Sequence, residues 1–241
     1  MNEVFGRRRR AEEERATAVS KPVSGEESSA SARTTGPWDG QDDYPEGERV
    51  DLGGLRLPVG PGFEIQLSMT GDQIDGAIVL VEESALQLHA FAAPRRSGIW
   101  DEVRAELARE VAAVGGTVTE QDGPFGAELA ARVPAQGQAS QGAQQGPQPV
   151  RYLGVDGPRW FLRAVISGRA AVDPSAAGIL EDVVRGTVVI RGDEPMPPRE
   201  PIQLRLPAEA RQAMEQHAAE QAGRQDDLRP FERGPEISEI R

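Results

Sequence analysis

The chain has 241 residues, of which 38% are hydrophobic and 5% aromatic, and its 27 basic and 39 acidic side chains give a net charge of −12. Apolar content this low predicts unfolded segments beside a folded domain, and the acidic balance opposes nucleic-acid binding. The lack of cysteine excludes disulfides and thiolate-based metal or redox motifs, and no secretory leader or membrane-length apolar run is present, so a soluble cytoplasmic protein is expected.

Residues 1–49 mix charge with small polar residues and lack apolar periodicity, which predicts a disordered arm. Its tetra-arginine Arg7–Arg10 stands beside Glu12–Glu14 and is largely self-neutralised. Five of the ten residues from Asp39 to Glu48 are acidic, and Trp38 next to Asp39 has the form of an aromatic anchor in an acidic linear motif.

Folding is expected from about Val50 to Leu206. In "FEIQLSM" Phe63, Ile65, Leu67 and Met69 share one face, "GAIVLV" (76–81) is apolar throughout, and "ALQLHAF" (85–91) alternates, so the three predict a β-meander. A helix is predicted over 97–114, with Ser97 as N-cap, a stripe of Ile99, Trp100, Val103, Leu107, Val111 and Val114, and Gly115-Gly116 as its stop. Strands over 117–121 and 127–133 follow, and then "PAQGQASQGAQQGPQP" (134–149) predicts a disordered insert within the domain.

Beyond the insert, "VRYLGV" (150–155) and "RWFLRAVI" (159–166) predict a hairpin turning at Asp156-Gly157-Pro158. A second helix starts with Asp173 as N-cap and Pro174 at its first position, and ends at Gly186. "TVVIR" (187–191) and "IQLRL" (202–206) predict last strands joined by the stiff "GDEPMPPREP". Residues 207–241 predict a weakly amphipathic helix and a disordered tail. Strand runs punctuated by two helices define an α+β domain: a mostly antiparallel sheet with both helices packed on it. In element order alone it loosely resembles a Mog1/PsbP-like sandwich.

Motifs for phosphate-binding loops, dinucleotide folds and serine hydrolases are missing, and the two histidines, His89 on a strand and His217 on a peripheral helix, show no converging ligands for a metal centre. No catalytic residue, cofactor or metal is therefore expected. Period-two alternation splits "RWFLR": Trp160, Leu162, Ala164 and Ile166 point to the core, while Arg159, Phe161 and Arg163 share the other face. His89 and Phe91 belong to the same face if the meander aligns with it. That face is either a groove for a ligand or partner, or is half covered by a helix or tail.

"FGRRRR", "GPWD" (36–39), "DGPRWFLRAVISGRAA" (156–171) and "RGDEPMPPREPIQLRLP" (191–207) together resemble an uncharacterised actinobacterial family, domain of unknown function 3710. The resemblance implies a cytoplasmic bacterial protein and supplies no activity. The expected function is a non-enzymatic protein-interaction or scaffold domain binding an unknown protein through Trp38 and Asp39 or through Arg159, Phe161, Arg163, His89 and Phe91. The alternatives are a small-ligand-binding domain or cryptic enzyme using the mixed sheet face and, more weakly, nucleic-acid association through Arg7–Arg10. No membrane partner is expected.

Overall fold

The computed structural model describes residues 34–95, 98–134, 146–207 and 210–212. Short strands β1 (Trp38–Asp39), β2 (Arg49–Asp51) and β3 (Leu55–Pro58) precede the meander of β4 (Glu64–Thr70), β5 (Gln73–Val81) and β6 (Ser84–Ala92). After α1 (Trp100–Ala113), a second meander runs through β7 (Thr117–Gly123), β8 (Gly126–Val133), β9 (Gln148–Asp156) and β10 (Trp160–Gly168). A short 3-10 helix (Arg169–Ala171), α2 (Pro174–Gly186) and β11 (Val188–Val189) complete the order.

Antiparallel pairing of β10 with β6 joins the two meanders into one seven-stranded sheet, β4-β5-β6-β10-β9-β8-β7. A second sheet, β1-β11-β3-β2, contains the parallel pair β1 and β11. This small sheet and α2 lie on one face of the large sheet. Leu55, Leu57 and Val189 there share a core with Leu86, Leu88, Leu162, Ile166, Leu180 and Val184. Helix α1 lies on the opposite face, where Trp100 and Leu107 pack with Leu129 and Phe161. The α+β class holds, with the two helices divided between the faces because successive residues of β10 point to opposite sides.

Several boundaries differ from the sequence expectation for physical reasons. The described fold begins at Thr34 rather than near Val50, because the edge of β11 takes the 38–39 segment as a strand: Trp38 N donates to Thr187 O (2.9 Å) and Gly40 N to Val189 O (2.9 Å). Helix α1 is capped from a distance. Ile99 N (2.8 Å) and Trp100 N (3.3 Å) donate to the carboxylate of Asp156, which satisfies orphan amides of the first turn. Ser97 lies outside the described residues, as do residues 1–33, 135–145 and 213–241 with the arm, most of the insert and the tail expected there. Asp173 caps α2 as expected, accepting from Ser175 N (3.0 Å).

The "IQLRL" segment forms only isolated bridges at Leu204, with another at Pro201 just before it. Its partners diverge. β5 and β6 pair from Ala77–Leu88 to Val81–Ser84, and beyond that point the 199–204 segment takes up their separated edges. Arg199 N donates to Ala92 O (2.7 Å), Ile202 N to Ala90 O (2.8 Å) and Leu204 N to Ile74 O (3.0 Å). Arg199 also clasps α1 through Glu106 (2.9 Å) and Glu102 (2.9 Å). Residues 191–204 thus form a strap that ties the sheet to α1.

A buried ionic group anchors α2. Arg151 on β9 donates to both carboxylate oxygens of Glu128 on β8 (2.9 and 3.0 Å) and to Glu181 on α2 (3.1 Å), while Gln121 adds a third bond to Glu128 (2.7 Å). Glu128 is 2% exposed, so removing its charge leaves Arg151 without its enclosed partner, at a cost of about 3 kcal/mol. Urea denaturation is expected to show that loss for Glu128→Gln. Arg185→Ala, which breaks ion pairs nearer the surface, is expected to lose ~0.5 kcal/mol.

Candidate functional site

The two central strands bring four of the expected residues into one patch. Register pairs Phe161 with Phe91 and Arg163 with His89 across β10 and β6. The rings form a continuous stack, with centroids 6.4 Å apart for His89–Phe91, 6.2 Å for Phe91–Phe161 and 5.8 Å for Phe161–Trp100. Gly154 makes the last contact possible, since a Cβ there would lie 2.2 Å from the Trp100 ring. Gly76 does the same for His89, whose ring occupies the space a Cβ would fill.

This stack crosses the margin of α1. Phe161 is 1% exposed beneath the helix, so it supports the patch and does not offer a surface to a partner. Phe91, His89 and Arg163 lie beyond the margin and are half-buried. The Arg163 guanidinium sits 5.3 Å from the Phe91 centroid, in cation–π range.

Polar satisfaction is poor at this point in the sheet. Four buried side-chain polar atoms lack a hydrogen-bond partner among the described residues, and three of them, Asp75 Oδ1, His89 Nδ1 and Arg163 Nε, belong to this patch. Native proteins leave few such atoms, so three in one patch set this part of the sheet apart. Asp75 stands where the β4–β5 register shifts and accepts from the Thr70 hydroxyl (2.6 Å), which holds its carboxyl below the usual range. Burial depresses the basicity of Arg163, opposed by Tyr152 on β9, Glu110 on α1 and Asp75. Burial also holds His89 below the ordinary histidine value, with Arg163 adding to the shift and Asp75 opposing it. Tyr152 is pushed up, again chiefly by burial. A positive charge is therefore held in a poorly solvated place with no ion pair.

The remaining expected residues are elsewhere. Trp38 is buried, and Asp39 accepts from the Trp160 indole N–H (2.6 Å), so the pair staples the start of the fold to the core and is not a free linear motif. Arg159 leaves the face it was expected to share. The hairpin turn gives it a left-handed backbone (φ 65°), and its guanidinium reaches Gly192 O (2.9 Å). Asp75, Tyr152 and Glu110 were missed. Asp75 carries the one available signal, a charged residue inside an otherwise apolar strand. No group of three or more His, Asp or Glu arranged to hold a metal ion occurs among the described residues, and no helix there is long and apolar enough to cross a membrane.

The fold and patch define an α+β domain with a sheet face only part-covered by its helix. A family model described as "Protein of unknown function (DUF3710)" matches residues 36–213, and the chain belongs to that family. Its matched region takes in the β1 staple, both meanders and the strap. Searches of curated proteins and of solved structures found no match to the chain.

His89 makes stability depend on pH. Its folded-state pKa is depressed, so the unfolded chain binds the proton first as pH falls below the ordinary value of 6.5. The stability contributed by the neutral, buried ring is complete above that value and is lost progressively on acidification towards the depressed folded-state value. Denaturation curves collected from pH 7.5 to 5 are expected to show this loss, and His89→Gln is expected to show a shallower dependence over the same range.

Proposed function

We propose that the chain is a non-enzymatic, cytoplasmic protein-interaction domain whose recognition surface is the uncovered half of the large sheet beside α1, centred on Arg163. The observation that carries this reading is the half-buried guanidinium of Arg163, held against Phe91 without a carboxylate partner. An acidic side chain from a partner protein would supply the missing charge-assisted hydrogen bonds at a site where water screens poorly. Phe91 fixes the guanidinium plane, and exposed Gln66 and Gln87 give the adjoining strands polar contacts for the rim. The layout matches a partner-binding patch, with an aromatic and arginine centre inside a polar surround.

Arg163→Ala removes the charge while leaving the buried ring stack in place. Quantitative co-purification from the native cell extract, using the full chain and this variant at matched thermal midpoints, is expected to show partner proteins depleted about tenfold or more in the variant, corresponding to loss of a charged hydrogen bond. Equal recovery of every co-purifying protein would sink the proposal.

A further inference from the structure

The two other features left over by the interaction patch, Arg159 and the unpartnered Nε of Arg191, meet at a different place. The turn before β10 and the start of the strap enclose an open cleft of about 490 Å³, lined by Arg159, Arg191, Asp193, Glu194, Met196 and the prolines flanking Met196. Arg159 Nη2 donates to Gly192 O at 2.9 Å, and Arg191 Nη1 donates to the same oxygen at 3.1 Å. Those two nitrogens are therefore no more than about 6 Å apart. Arg191 also donates to Glu194 O, and its Nε is buried without a partner.

Every acceptor these two arginines use is a backbone carbonyl. A carbonyl fixes a guanidinium in position but carries no formal charge, so both guanidiniums are oriented without a direct ion pair. Asp193 and Glu194 line the same cleft, yet neither forms an ion pair with either arginine. The backbone has positive φ at Arg159 (65°) and at Gly192 (73°), and both side chains meet on the Gly192 oxygen. The cleft is shallow and open to solvent, and Pro195, Met196 and Pro197 give it an apolar wall.

We infer that this cleft binds a small oxyanion-bearing ligand, its carboxylate or phosphate held between Arg159 and Arg191. The site is separate from the Arg163 patch and does not depend on it. Asp193 and Glu194 oppose a dianion, so the inference favours a carboxylate, with phosphate as the second source of the same chemistry.

The test uses the full chain at constant ionic strength, titrated separately with acetate, inorganic phosphate and, as a control, chloride, while the arginine Nε–Hε resonances are followed by NMR. Saturable shifts of Arg159 and Arg191 with acetate or phosphate are expected, weakened about tenfold or more in Arg159→Ala and in Arg191→Ala. The tighter of the two anions identifies the source. Arg191→Lys, which keeps the charge and loses the fork, is expected to weaken binding while retaining the fold, so a failure of the alanine variants to fold does not remove the test. Shifts that are linear, reproduced by chloride, or unchanged in the variants would overturn the inference. Arg163→Ala is expected to leave these titrations unaltered, which separates failure here from failure of the interaction surface.

Discussion

The alternation along β10 is the constraint on which the other features depend. Trp160, Leu162, Ala164 and Ile166 enter the core shared with α2 and the small sheet, while Phe161 enters the core beneath α1. A slip of one residue would drive Arg163 into the first core and place Trp160 under α1. Pairing on both sides, with β6 and with β9, prevents that slip, because both neighbours carry the same apolar alternation. Two cores of unequal size follow from one central strand. The smaller lies over β7 to β9 and reaches Phe161 on β10, and so the stretch of β5 and β6 beside Arg163 is left with mixed polar and aromatic character.

Longer-range ties hold the layers in this arrangement, and most of them are polar. Asp156 ends β9 and also caps α1, so one side chain fixes where the helix begins on the sheet. Arg151 joins β9 to β8 and α2. The strap closes the gap between β5 and β6 with backbone hydrogen bonds and then grips α1 through Arg199. Its prolines suit this course. Pro195, Pro197, Pro198 and Pro201 cannot donate to a ladder, so the segment makes single bridges where the sheet has opened and does not extend as a strand.

Local signals made the fold class legible. Period-two runs marked β4, β6 and β10, an apolar run marked β5, and Asp173-Pro174 marked the start of α2, because each of these depends on neighbours within a few residues. What escaped depends on contacts across the chain. Trp38 is separated by about 150 residues from the strand that buries it, and Asp156 reads as a turn residue although it works as a distant cap. Within the candidate patch, the alternation correctly gathered His89, Phe91, Phe161 and Arg163. It could not show that α1 buries Phe161 or that Arg159 turns away, since a positive φ at a non-glycine residue leaves no sequence mark as clear as a glycine.

Charge partners are unevenly distributed among the arginines. Partly or fully buried Arg56, Arg104, Arg151 and Arg185 each meet a carboxylate within 4 Å, and Arg49 lies over Tyr44 with three carbonyls around it. Arg159, Arg163 and Arg191 have no such carboxylate, in a chain whose acidic side chains outnumber its basic ones by 39 to 27. Scarcity of carboxylates cannot explain the difference. Burying the Arg163 cation without an ion pair costs stability. All three lie in "DGPRWFLR" or at the start of "RGDEP", inside the region shared with the family, and all three are held by something other than an opposite charge. Each guanidinium is fixed against a ring or a carbonyl, which sets its orientation without an ion pair.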